Sequence, residues 1–159
     1  MLCRALSFLR LFSTLDQPKQ TKFPKAFKGR VKLHAKQTSL CFGKYGLQAM
    51  ETGRISALQI DATRKSMAPL VKKGGQVWIR IFPDIPITRK PAEVRMGKGK
   101  GAVELYIARV PVGTIMYEIQ MTDDKTAIKA LKLAANKLPV KTRIIMRLPG
   151  DNNLIPNIV

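Results

Sequence analysis

In the stretch Val103-Glu-Leu-Tyr-Ile-Ala-Arg-Val-Pro-Val-Gly-Thr-Ile-Met-Tyr-Glu-Ile-Gln120, side chains alternate in character twice about a turn. Val103, Leu105 and Ile107 share one face of the first half; Ile115, Tyr117 and Ile119 share one face of the second. A period of two is that of a half-buried strand. Pro111, Val112 and Gly113 turn the chain between the halves, so the pattern predicts an antiparallel hairpin. Downstream, Thr122 or Asp123 caps a helix whose apolar stripe is Ile128, Leu131, Ala135 and Leu138, and Pro139 ends it. Val140 to Arg147 alternates again, with Val140, Thr142, Ile144 and Met146 on one face. From Leu148 on, Pro149, Gly150, Asn152, Asn153 and Pro156 predict a loose tail.

Upstream, Phe82 to Pro91 carries three prolines and reads as a loop. Gln76 to Phe82 reads as a strand, with Val77, Ile79 and Ile81 opposite Trp78, Arg80 and Phe82. A helix starts before it: Ser56 and Gln59 form a capping-box pattern, and Ile55 with Ile60 a hydrophobic staple. Ile60, Thr63, Met67, Leu70 and Val71 share its inner face. Pro69 is expected to kink or shorten that helix, and Lys72-Lys73-Gly74 to close it. Ser39 to Met50 reads as a strand broken by Gly43 and Gly46. Strands that outnumber two helices and include a hairpin predict an α+β domain, a small mixed or antiparallel sheet packed by two helices.

The chain has 159 residues, enough for one core. Its hydrophobic fraction of 45% is ordinary, but 29 Lys and Arg against 10 Asp and Glu leave a net charge of +19. Such an excess repels itself in a compact state, so a polyanion, nucleic acid or anionic membrane, is the expected counterpart. Cys3 and Cys41 make no disulfide framework and no four-ligand zinc site. One histidine, His34, excludes a His-based metal cluster, and no stretch approaches the ~20 apolar residues of a membrane span. No cofactor and no metal are expected.

Residues 1–15 form a separate segment, with Arg4, Arg10, Ser7, Ser13 and Thr14 on one helical side, apolar residues on the other, and no acid before Asp16. That composition predicts an organelle leader; the plainer alternative is a helix docked on the domain. Residues 16–38 form an extended basic arm, in which Lys19, Lys22, Lys25 and Lys28 recur every third residue with Phe23 and Phe27 interleaved. Pro18 and Pro24 oppose a helix there. A cation every three residues can track phosphates and aromatic faces can stack on unpaired bases; the alternative is a solvated tail. Residues 39–147 are the folded domain and 148–159 the tail.

Arg95-Met96-Gly97-Lys98-Gly99-Lys100-Gly101 alternates glycines with cations. Nothing in it packs a core, so it is expected to stay mobile until a polyanion orders it. A dinucleotide fingerprint fails here on spacing and on the strand that follows, and a phosphate-binding P-loop is absent. His34 and Cys41 have no partners placed for catalysis, and the adjacent Asp123 and Asp124 suit a helix start. An enzyme is therefore not expected.

Several motifs together carry a resemblance. They are Gln17-Pro-Lys-Gln-Thr-Lys-Phe-Pro-Lys25 with Lys28-Gly-Arg30, Phe42-Gly-Lys-Tyr-Gly-Leu47, Gly53-Arg-Ile55, and Gln59-Ile60 with Ala62 and Arg64. Trp78-Ile-Arg-Ile-Phe-Pro-Asp84 follows, with Pro86-Ile-Thr88, Lys90-Pro91 and Val94-Arg-Met-Gly-Lys-Gly-Lys-Gly101, then Leu131-Lys-Leu-Ala-Ala135 and Lys137-Leu-Pro-Val-Lys-Thr142. From about Gln17 to Arg147 the chain resembles the bacterial-type large-subunit ribosomal protein L-sixteen family. The resemblance implies a non-catalytic constituent of the large ribosomal subunit, bound to ribosomal RNA near the aminoacyl-tRNA site and the peptidyl-transferase region. It implies large-subunit RNA, aminoacyl-site tRNA and neighbouring ribosomal proteins as partners, with no membrane and no small-molecule substrate. The residues expected on RNA are Lys19, Lys22, Lys25, Lys28, Arg30, Lys44, Arg54, Arg80 and Lys141. The loop Arg95, Met96, Gly97, Lys98, Gly99, Lys100 and Gly101 is expected to face the RNA and tRNA centre. Arg95 matches a position that some bacterial members hydroxylate. Pro24, Pro69 and the segment Val31–Leu40 depart from the family pattern, and the leader points to a mitochondrial rather than a plastid copy. The rival reading is a general polyanion or membrane-surface module.

Overall fold

The computed structural model describes residues 17–35, 39–72 and 74–147, and the backbone of 154–157. The leader lies outside these residues, as do the ends of the tail. The elements in chain order are β1 (Tyr45–Ala49), β2 (Gly53–Ser56), α1 (Ala57–Val71), β3 (Gly75–Ile79) and β4 (Ile85–Arg89). They continue with β5 (Ala102–Val110), β6 (Ile115–Met121), α2 (Asp124–Ala135), β7 (Thr142–Arg147) and β8 (Leu154–Asn157). The fold is α+β, as expected, but its strands form two antiparallel sheets. A five-stranded sheet runs β3-β6-β1-β7-β8 and a three-stranded sheet runs β2-β5-β4.

The hairpin expected over 103–120 does not form: β5 pairs with β2 and β4, and β6 with β1 and β3. The turn hands the chain from one sheet to the other. Pro111 brings no N–H; Thr114 N–H donates to its carbonyl at 3.3 Å, and the residues between bond elsewhere. Val112 N–H donates to Leu33 O, Ala35 N–H to Val112 O, and Gly113 N–H to Ala49 O. The turn is thus tied to the arm and to β1 as well as to itself, and its flanking strands pair in different sheets. The proline-rich stretch 82–91, expected as loop, contains β4; it is an edge strand, where Pro86 can be tolerated because only one side of the strand is paired. The segment after Leu148 supplies β8, antiparallel to β7, in place of a wholly loose tail.

Both helices start as predicted. Ser56 Oγ accepts from Gln59 N–H while Gln59 Oε1 accepts from Ser56 N–H, and Asp123 accepts from Lys125 and Thr126 N–H. Helix α1 runs past Pro69 to Val71, because the proline stands two residues from the helix end on an exposed side. Helix α2 ends at Ala135, ahead of Pro139, with Asn136 as its cap. The helices pack on each other, α2 against β1, β6 and β7, and α1 beside β2, β3 and β5. The main core joins Tyr45, Leu47, Ile60, Met67, Tyr117, Ile119 and Leu131. Burial pushes the Tyr117 hydroxyl up to about 12; Thr63 lies near it, but no hydrogen bond closes.

The opposite face of the large sheet is covered by the chain itself. Segment 39–43 crosses it, and Leu40 packs with Ile115 and Ile145. Gly46 makes the notch: a Cβ there would stand 2.4 Å from Leu40 Cδ2. Phe42 stacks on Trp78 with centroids 5.9 Å apart. Beneath, the buried Glu118 carboxylate accepts from three successive amides, Cys41 (3.1 Å), Phe42 (2.6 Å) and Gly43 (2.9 Å), and from Arg80 Nη1. Arg80 also donates to Ser39 O at 2.8 Å. One acidic side chain therefore fixes where the basic arm joins the domain.

Candidate nucleic-acid interface

The small sheet carries the basic elements. Strands β4 and β5 rise into the segment 91–101, whose residues from Pro91 to Lys100 are all exposed. Gly97 and Gly99 take positive φ of 88° and 85°, and Lys98 between them takes 54°. Three successive left-handed or near-left-handed residues curl the tip, which side-chain-bearing residues would resist at the glycine positions. Lys90 Nζ closes the curl onto Gly97 O.

Arm and loop meet, which the sequence did not indicate. Lys25 Nζ donates to Lys100 O at 2.7 Å, Lys100 Nζ donates to Ala26 O, and the same ammonium lies 5.2 Å from the Phe27 ring centroid. The loop is therefore braced against the arm in the protein alone. The braces are lysines on carbonyls and on a ring. Among the described residues no carboxylate pairs with Lys25, Lys28, Arg30, Arg95, Lys98 or Lys100.

A second contact lies at Gly29. Arg54 Nη2 donates to Gly29 O at 2.9 Å, and Arg109 Nη1 stands so close that a Cβ on Gly29 would be 2.8 Å from it. Gly29 also has φ +63°, so both backbone and space call for glycine. Arg54 and Arg109 are direct cross-strand partners on β2 and β5. Like charges so placed are destabilising unless something offsets them. Arg54 holds the arm by its backbone, with Arg109 packed alongside, leaving Lys28 and Arg30 on either side of Gly29 exposed.

The expected RNA residues thus divide. Lys19, Lys22, Lys25, Lys28 and Arg30 are exposed along the arm, and residues 95–100 on the loop, with Gly101 half-buried at its base. Arg54 joins them through Gly29. Three others pair with carboxylates of the protein itself. Lys44 pairs with Asp124 at 2.9 Å and Lys141 with Glu51 at 3.0 Å, both near the surface. Asp124's hydrogen bonds from Tyr45 and Lys44 hold its carboxyl below the usual range. Arg80 is 13% exposed and serves Glu118, so its guanidinium supports the fold. Arg109 and Lys90 are the cations that sequence reading passed over. Arg109 sits on the polar face of a strand, and only the β2–β5 register sets it beside Arg54.

Residues 18–145 match the sequence profile of the family described as Ribosomal protein L16p/L10e. The chain belongs to this family. Among its relatives is the large ribosomal subunit protein uL16 of Rhodopseudomonas palustris strain HaA2, 53% identical over 133 residues, covering 83% of this chain and 97% of the relative. The proteins of the same name from Sphingopyxis alaskensis and Beijerinckia indica are 53% identical over 139 residues and 56% over 133. The match takes in the arm from Pro18, the glycine–lysine loop and both sheets through β7 up to Ile145. Residues 1–17 lie outside it.

Proposed function

We propose that the braced arm and loop form one basic surface that this chain lays against ribosomal RNA beside the aminoacyl-tRNA site. The chain is a structural constituent of the large ribosomal subunit and not an enzyme, as its family membership carries. Its partners are ribosomal RNA and neighbouring ribosomal proteins. The observation behind the finer reading is the junction of Lys25, Ala26 and Phe27 with Lys100. It turns two separate basic segments into one face whose cations have no carboxylate partner among the described residues.

Contacts of this kind give position more than sequence readout. Lys19 to Arg30 track one stretch of backbone, and Arg95 to Lys100 reach a second, so the body of the domain sets the distance between them. In this reading Lys44 and Lys141 contribute only at the margin, since each already has a carboxylate. The leader supports placement in a mitochondrial ribosome: residues 1–15 are basic, hydroxylated and free of acids, and they precede the family match.

Gradient sedimentation of organelle lysate tests both parts. The chain should travel with the large subunit and leave that fraction after ribonuclease digestion. Sedimentation as a free protein in the undigested lysate would end the proposal.

A further inference from the structure

Residues 25–29 of the arm are pinned at both ends. Lys25 Nζ donates to Lys100 O at 2.7 Å and Lys100 Nζ donates to Ala26 O, while Arg54 Nη2 donates to Gly29 O at 2.9 Å. Phe27 stands between these anchors and is 94% exposed. The Lys100 ammonium lies over one face of its ring, 5.2 Å from the centroid, so the other face meets solvent. Phe23, four residues upstream, repeats the arrangement more loosely, 68% exposed with the Lys22 ammonium 5.6 Å from its centroid. The protein thus fixes the backbone about an aromatic ring and leaves the ring itself bare. The charges around it are of one sign, because Lys25, Lys28, Arg30 and Lys100 have no carboxylate partner among the described residues.

We propose that Phe27, backed by the Lys100 ammonium, is a stacking platform for one unpaired RNA base. The proposal rests on the RNA-binding reading above and deepens it. Phosphates alone would satisfy the cations and give the ring nothing. A nucleotide within a single strand brings a flat π-face with a phosphate on either side, which suits a ring flanked in the chain by Lys25 and Lys28. In a duplex both faces of a base are already stacked on its neighbours, so the platform selects unpaired RNA. Every base has a π-face, so the selection is for strandedness and not for sequence. A lipid surface is met by a helix with a broad apolar face, and residues 17–33 form no helix. The two anchors hold the ring in place before RNA arrives, so little ordering is left to oppose the stack.

The test uses the full chain and two labelled oligomers of equal length and charge, oligoadenylate and its abasic counterpart, with binding followed by fluorescence anisotropy. The oligoadenylate should bind about tenfold tighter, within the range of base–aromatic stacking. Phe27→Leu, which keeps an apolar side chain at an exposed position, should bring that ratio down to about twofold, the remainder resting on Phe23. Phe27→Tyr should keep the parent's ratio. Equal binding of the two oligomers by the parent, an unchanged ratio in Phe27→Leu, or a tyrosine variant as poor as the leucine one would overturn the platform while leaving RNA binding intact. Attachment to anionic vesicles of phosphatidylserine and phosphatidylcholine that falls in Phe27→Leu, with the oligomer ratio unmoved, would overturn it in favour of a lipid surface. Failure of the parent to bind either oligomer would overturn the underlying reading as well.

Discussion

Glu118 shows how much one residue decides. A carboxylate at the centre of a sheet is costly unless every oxygen is satisfied. Here four donors converge on it, and three of them are amides on the path by which the arm enters the domain. Removing it leaves Arg80 without its counter-ion and three amides without an acceptor. Breaking a buried pair in this way costs ~3–5 kcal/mol. Glu118→Ala should lower the melting temperature by roughly 6–20 °C for a domain of this size, at ~2–4 °C per kcal/mol, in a calorimetric scan. A shift below about 2 °C would mean that segment 39–43 holds its place without the carboxylate. Arg80 illustrates the same point from the other side. In sequence it is one more cation on a polar strand face, and its commitment to Glu118 emerges only when β3 lies beside β6.

Among the elements, the glycine–lysine loop and the arm are the pair whose roles are joined. Each is too exposed to hold a shape by burial, and each borrows carbonyls and a ring from the other. Cation–ring and exposed lysine contacts are worth only about 0.5–1 kcal/mol apiece, so the loop contributes little to global stability. Replacing Lys98 and Lys100 with alanine should therefore leave the far-ultraviolet circular dichroism and the melting midpoint close to the parent's, within about 1–2 °C. The same protein should be impaired in large-subunit assembly and translation. Normal subunit profiles in cells carrying only this variant would remove the loop from the RNA-contacting surface. The capping box of α1 and the Asp123 cap of α2 follow the opposite logic. They are local, formed within three residues of sequence, and so are legible without any tertiary contact.

For the molecule as a whole, the +19 charge is the dominant fact. The six ion pairs among the described residues draw all five of their acids from the folded body, at Asp61, Glu118, Asp124, Glu104 and Glu51. None of those six pairs lies on the arm or at the loop tip, so the surplus stays where the proposed RNA face is. Neutralising phosphates with such a surface releases condensed counter-ions, ~0.7–0.9 log units of affinity per log unit of salt for each phosphate. With arm and loop both engaged, the slope of log K against log salt on single-stranded ribosomal RNA fragments should exceed about 4 in magnitude. It should fall by roughly 1.4 in the Lys98 and Lys100 replacement. A slope near zero would show that the excess charge serves something other than RNA.

Local and compositional features were settled by the order of residues alone: both helix starts, the basic arm, the glycine–lysine loop, the α+β class and the ribosomal family. Each depends on interactions within a few residues, on net charge, or on motifs contiguous in the chain. The tertiary structure decided what depends on register between distant strands. A period of two reports that a strand has an inside and an outside but does not name its neighbour, so 103–120 read as a hairpin although Pro111 to Gly113 passes it between two sheets. Pro86 hid β4 because an edge strand tolerates what an inner strand would not. The joining of Arg54 with Arg109 about Gly29, and of Lys25 with Lys100, came from backbones brought together across more than 50 residues in the latter case, which no local pattern encodes.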